Sequence, residues 1–143
     1  MIFETIRRLK SEGKKIGFTT GCFDVIHAGH VYMLEGAKSL CDYLIVGILV
    51  DPTTERPDTK NKPVQSILER FILIQGIAAV DYTIPFGSEA DLVALVQLIE
   101  PDIRIVGEEY KGTKHTGWDL CPIHYNKRSN PYSSTEIRER IKK

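Results

Sequence analysis

Gly21-Cys22-Phe23-Asp24-Val25-Ile26-His27-Ala28-Gly29-His30 is the stretch whose reading decides the fold of this chain. Before it runs Ile16-Gly17-Phe18-Thr19-Thr20, apolar and of strand length. After it, Val31, Leu34, Ala37 and Cys41 recur at helical spacing. The segment therefore reads as a strand, a tight glycine-bearing turn and the opening of a helix. A helix start leaves backbone N–H groups free and carries the positive end of the helix dipole, which suits phosphate. His27 and His30, three residues apart, fall on one side of that first turn. Gly29 between them removes a side chain where a ligand approaches the backbone. Two imidazoles at a helix N-terminus make a place to hold the phosphates of a nucleotide.

Plainer roles compete for these residues. His-x-x-His is also half of a zinc site, but no Cys-x-x-Cys and no third histidine lies nearby to complete four ligands. Either histidine could serve only as a helix cap or core residue. The flanking Gly21, Phe23 and Asp24 tilt the reading towards a nucleotide site.

The totals fit one domain, 143 residues long, with 42% hydrophobic and 27% charged residues. Net charge is zero, so nothing marks a nucleic-acid scaffold or a membrane-surface binder. The first fifteen residues carry Arg7, Arg8, Lys10, Lys14 and Lys15 without an apolar core, unlike a secretion signal or a membrane span. Cys22, Cys41 and Cys121 are odd in number and lack paired spacing, as suits a reducing cytoplasm.

Taken in order, residues 1–13 read as an accessory helix with a Phe3, Ile6, Leu9 stripe ending near Gly13. Asp42 to Val50 is a long apolar run, a strand buried on both faces. Asp51 to Pro63, with three prolines, is a loop. It is either a solvated connection or a basic flap that brings Arg56, Lys60 or Lys62 to phosphate oxygens. Ser66 and Glu69 have capping-box spacing ahead of Ile67, Phe71 and Ile74. Tyr82–Phe86 is a third strand, Leu92, Leu95, Val96 and Ile99 line a helix, and Ile103–Gly107 is a fourth strand. Lys114, His115 and Trp118 sit in a polar loop without an assigned role, and Pro122–Tyr125 reads as an edge strand. Ser133 and Glu136 cap a last helix. Strands alternating with helices point to an α/β fold.

Gly-x-Phe-Asp-x-x-His-x-Gly-His resembles the signature of the cytidylyltransferase-like nucleotidyltransferases, and the resemblance runs from about Ile16 to Ile141. It implies a Rossmann-like, doubly wound, five-stranded and mostly parallel sheet of the HIGH-motif type, with the first and fourth strands adjacent at the nucleotide crevice. It implies catalytic roles for His27, His30 and Arg128. It implies nucleotide contacts at Gly21, Cys22, Phe23, Asp24, Gly29 and Arg70, at Gly107-Glu108-Glu109-Tyr110, and at Ser133, Ser134 and Thr135. Asp24 would orient either the turn or a metal. Arg128 and the three hydroxyls match a second family signature, Arg-x-x-x-Ile-Ser-Thr-Thr, although Pro131 and Tyr132 replace its usual glycine and isoleucine. Arg56, Lys60, Lys62 and Lys111 are left for the acceptor or the flap. The resemblance further implies Mg²⁺ as cofactor, with no protein ligand assigned, and a C2 homodimer.

Two substrate pairs follow. Glu108-Glu109 leans towards CTP and a phospho-alcohol such as glycerol 3-phosphate, the reading given first place. The Gly-Cys-Phe-Asp…His-Ala-Gly-His-Val wording, Lys62-Pro63-Val64 and Tyr110-Lys111 lean towards ATP and a sugar 1-phosphate, as in ADP-heptose synthase. A nucleotide-binding module without turnover ranks below both.

Overall fold

In the computed structural model, which describes residues 1–143, the chain begins with α1 (Ile2–Ser11) and enters β1 (Ile16–Gly21). The first four residues of β1 are buried, because the strand lies mid-sheet with helices on both faces. Then follow α2 (Ala28–Lys38), β2 (Tyr43–Leu49), α3 (Ile67–Gln75), β3 (Tyr82–Phe86), α4 (Glu89–Ile99) and β4 (Ile103–Gly107). A single 3₁₀ turn (Glu108–Tyr110), β5 (Ile123–Asn126) and α5 (Ser134–Lys142) complete the chain. The strand order is β3-β2-β1-β4-β5. Every pairing is parallel, where the sequence predicts a mostly parallel sheet. As expected, β1 and β4 are neighbours, so the order reverses there and a crevice opens at their carboxyl ends.

Alternation along the strands sends side chains to two cores. Leu44, Val46 and Ile48 join Leu34 and Ala37 of α2 and Ile74 of α3 on one face. Phe18, Ile45 and Phe86 join Ile6 of α1 and Leu92, Val96 and Ile99 of α4 on the other. A side chain such as Leu34, wholly buried, contributes about 2–3 kcal/mol relative to exposure. Two details depart from the apolar stripes read in sequence. On α1, Ile2 rather than Phe3 packs beside Ile6 and Leu9, leaving Phe3 at the surface. α2 ends at Lys38, so Cys41 lies beyond it, while Met33 packs against the core. Both serines act as N-caps, the serine half of the expected capping boxes: Glu69 N–H donates to Ser66 Oγ and Glu136 N–H to Ser133 Oγ. The three cysteines are free thiols, and no helix is long and apolar enough to cross a membrane.

Candidate active site

The turn from β1 into α2 is strained. Phe23 (φ 54°) and Val25 (φ 52°) occupy the left-handed region, at a cost of about 1–3 kcal/mol each for such residues. Asp24, buried between them, holds the turn shut. Its carboxylate accepts the N–H groups of Val64 (2.8 Å) and Gln65 (2.9 Å) and pairs with Arg138 of α5. Val25 N–H donates to Gln65 Oε1, and Ser134 Oγ donates to the Asp24 carbonyl. Burial by itself would raise the Asp24 pKa, but the two N–H bonds and Arg138 outweigh it and hold the carboxyl below its usual range. The sequence left Asp24 between the turn and a metal; its oxygens are committed to the turn.

His27 is the N-cap of α2, and the two histidines cap the helix reciprocally. Gly29 N–H donates to His27 Nδ1 (3.0 Å), and His27 N–H donates to His30 Nδ1 (3.1 Å). An Nδ1 that accepts is unprotonated, so each ring is the neutral tautomer with its proton on Nε2. Neither Nε2 has a partner within the protein, and both rings line the crevice, their centroids 3.9 Å apart. Both rings resist protonation. Burial pushes the His30 pKa down to about 4, aided by His27 and Arg128; burial and then Arg128 lower His27. Gly29 is obligatory: a Cβ there would lie 2.7 Å from the His27 ring and 2.9 Å from Asn130 Oδ1.

These histidines open onto a cleft of about 910 Å³ at the carboxyl end of the sheet. Arg128, Ser133, Ser134 and Thr135 face it at the N-terminus of α5, with Arg128 fixed by donating to the Tyr132 carbonyl. Tyr132, where the family signature has isoleucine, stacks on Tyr32 of α2 (6.3 Å), and both rings line the cleft. Gly21, Cys22, Gly29, Gly107, Glu109, Tyr110, Arg56 and Lys60 also line it. Of the three cations named for a basic flap in residues 51–63, Arg56 and Lys60 line the cleft, whereas Lys62 lies 3.5 Å from Asp51 and off it.

Several expected contacts are placed elsewhere. Arg70 is 1% exposed and does not reach the cleft. Its guanidinium donates to the carbonyls of Cys22 (2.9 Å), Leu49 (2.7 Å) and Val50 (2.6 Å), where β1 and β2 end, and of Gln65 (3.1 Å) ahead of α3. Arg70 is a brace beneath the site. Phe23 is core, its ring under Gly21. Glu108, in the 3₁₀ turn, and Lys111, just after it, are exposed and outside the cleft. His115, unassigned in the sequence, does line the cleft, its Nε2 3.1 Å from Tyr125 Oη. Trp118 and Lys114 are exposed, with the ammonium 5.9 Å from the indole. Sequence reasoning missed Arg104, a buried cation in the cleft wall whose signal was a charge inside an apolar strand.

No three of His, Cys, Asp and Glu converge on a point that could hold a metal ion. Glu89 and Glu109 are the carboxylates that line the cleft, too few to hold a resident cation and compatible with one carried in on the phosphates of a ligand.

The depressed His30 pKa has a consequence for the ligand-free protein. Between the ordinary value of 6.5 and about 4, the unfolded chain binds a proton that folded His30 refuses. Stability is therefore full above 6.5 and falls as pH drops through this window. Melting curves across it will show a steeper acid loss for wild type than for His30→Ala; equal slopes would remove the buried-imidazole assignment.

The sequence model of the cytidylyltransferase-like family matches residues 18–140. Bifunctional protein HldE of Wolinella succinogenes is 40% identical over 114 residues, 80% of this chain and 24% of that protein. HldE of Campylobacter jejuni serotype O:6 is 36% identical over 140 residues, 97% of this chain and 30% of that protein. The chain thus spans about a quarter to a third of the length of these relatives. Among solved structures, the lipopolysaccharide core biosynthesis protein of Thermoplasma volcanium aligns with TM-score 0.66 and 27% identity, over 85% of this chain and all of that one. Pantoate-beta-alanine ligase of Francisella tularensis, at 19% identity and TM-score 0.59, covers 98% of this chain and 75% of its own and shares the fold. With its turn, its cleft and nearly its whole length inside the family's pattern, the chain belongs to the cytidylyltransferase-like family of nucleotidyltransferases.

Proposed function

We propose that the chain transfers a nucleoside monophosphate from a triphosphate to a small phosphorylated acceptor and releases pyrophosphate. One observation carries the reading. Two imidazole Nε2–H donors at the start of α2 share a cleft with Arg128, Ser133 and Ser134 at the start of α5. Two helix N-termini with their side-chain donors make a clamp for a triphosphate. An acceptor phosphate oxygen attacks the α-phosphorus in line, a new P–O bond forms, and the bond to the β-phosphate oxygen breaks. His27 and His30 donate to oxygens of the α- and β-phosphates, with His30 bonding best as charge grows on the five-coordinate phosphorus. Arg128 and the Ser133 hydroxyl, with the free backbone N–H groups of Ser134 and Thr135 at the start of α5, hold the departing pyrophosphate. Catalysis is positioning and charge stabilisation, with no covalent intermediate. Mg²⁺ carried on the triphosphate would neutralise phosphate charge, with no resident ligand set from the protein.

For the substrates, we favour ATP and a sugar 1-phosphate, as in the adenylyltransferase domain of ADP-heptose synthase. The identity to the HldE proteins supports this. The CTP and glycerol 3-phosphate reading leaned on the Glu108-Glu109 pair, of which only Glu109 lines the cleft. Tyr110, named for the adenylyl reading, lines it too, while Lys111 does not. The test is pyrophosphate release with each of the four triphosphates against sugar 1-phosphates and phospho-alcohols. Release with ATP and a sugar 1-phosphate is the expected result. Release confined to CTP and a phospho-alcohol reverses the substrate choice, and no release with any pair sinks the reaction.

A further inference from the structure

Arg104 is the second residue of β4 and is in register with Phe18 of β1 and Ile123 of β5. Phe18 faces α1 and α4, so Arg104 leaves the sheet on that same side. The α2 helix, with His27 and His30, covers the opposite face, where Ile105 points. The two ends of the cleft therefore present different chemistry. Both belong to one continuous opening.

A guanidinium keeps its charge in a protein, so a buried one needs an anion or a full set of acceptors. Arg104 is 4% exposed and has neither. It takes part in no ion pair. Nη1 donates to the Thr116 carbonyl (2.6 Å), and Nε is buried without any acceptor. Nη2 makes no hydrogen bond and is not sealed from the cleft. Burial works against the charged form, and no carboxylate lies within ion-pair distance to offset it. The niche is shaped around this group. Gly117, in the left-handed region at φ 74°, brings its backbone so close that a Cβ would lie 2.9 Å from Nη1. An uncompensated cation, fixed on one side and open on the other, is a site waiting for an anion.

We propose that Arg104 is the anchor for the acceptor's phosphate, received by Nη2–H with Nε–H behind it, on the α4 side of the cleft. This deepens the nucleotidyl-transfer reading and rests on it for the word acceptor. The donor triphosphate occupies the α2 side, and the acceptor comes from the other side of the sheet edge. Arg104 then selects acceptors that carry a phosphate oxyanion over neutral alcohols.

The test titrates inorganic phosphate, and separately a non-hydrolysable triphosphate, into wild type, Arg104→Met, Arg104→Lys and His30→Ala by calorimetry. Wild type should bind phosphate at a site whose affinity falls at least about tenfold in Arg104→Met, with Arg104→Lys between, and survives in His30→Ala. Triphosphate affinity of Arg104→Met should stay within about twofold of wild type, as expected for a group remote from the donor. If phosphate affinity is unchanged in both Arg104 variants, the anchor is wrong, and a lower melting temperature alone would mark Arg104 as a brace for the 112–118 loop. Equal loss of phosphate and triphosphate binding would move Arg104 to the donor side and overturn the proposal as well. Arg104-dependent phosphate binding in a protein that binds no triphosphate would keep the anion site and remove the transfer reading instead.

Discussion

His30→Ala will turn over about a hundred- to thousand-fold more slowly than wild type while binding the triphosphate almost normally. In the proposed reaction, the Nε2–H of this ring is the donor that meets charge appearing only as the α-phosphorus becomes five-coordinate. Loss of one such preorganised donor costs about 2.7–4 kcal/mol in the transition state. The ring also accepts the His27 N–H at the start of α2, and a lost cap costs about 1 kcal/mol. For a chain of this length that lowers the melting temperature by about 3–4 °C. The two effects are thus separable on one preparation, by kcat, triphosphate affinity and melting temperature. His30→Asn can still accept the cap bond and should recover the melting temperature without recovering kcat. Activity that survives in His30→Ala, or that merely follows unfolding, would end the assignment of the turn as a phosphate site.

Arg70→Ala should fail in the opposite way, through stability. The side chain is buried and satisfies four carbonyls from Cys22, Leu49, Val50 and Gln65. Removal strands these acceptors and opens a cavity under the turn that carries the histidines. Breaking a buried charged network of this kind costs about 3–5 kcal/mol. At about 3–4 °C per kcal/mol, the melting temperature should fall by about 10–20 °C. Below that temperature the remaining folded protein should bind triphosphate within a few-fold of wild type. A direct nucleotide contact would instead weaken binding sharply at unchanged melting temperature, and that result would restore the role the family resemblance suggested.

The two arginines show where reading residues in order reaches its end. Arg70 follows a capping serine in the helix expected there, and the family resemblance implies a side chain that reaches the nucleotide. Whether it does depends on what lies beneath α3, which is the carbonyl ends of β1 and β2. Those groups come together only when strands far apart in the chain pair. Arg104 shows the converse. Within Ile103-Arg104-Ile105-Val106 it breaks an apolar run, and that irregularity was available without coordinates. Its meaning was not, because a strand arginine becomes informative only when the partners around it are counted. The same holds for Asp24, whose neighbours in sequence are the strained Phe23 and Val25 but whose partners are Val64, Gln65 and Arg138.

By itself the sequence determined what depends on local spacing. The period of apolar residues set the strands and helices and hence the alternating α/β fold. Ser66 and Ser133 announced the capped starts of α3 and α5. Gly29 between two histidines announced a helix start, because cap chemistry and free N–H groups are properties of a few consecutive residues. Only the tertiary structure decided which charged side chains face the cleft. It turned Arg56, Lys60, Arg104 and Arg128 towards it and Arg70, Lys62 and Lys111 away. It also put the protons of His27 and His30 on Nε2, through bonds made once α2 has formed. A long side chain can point many ways, and the choice falls to the cost of leaving a buried charge or carbonyl unpaired, which is a property of the packed chain.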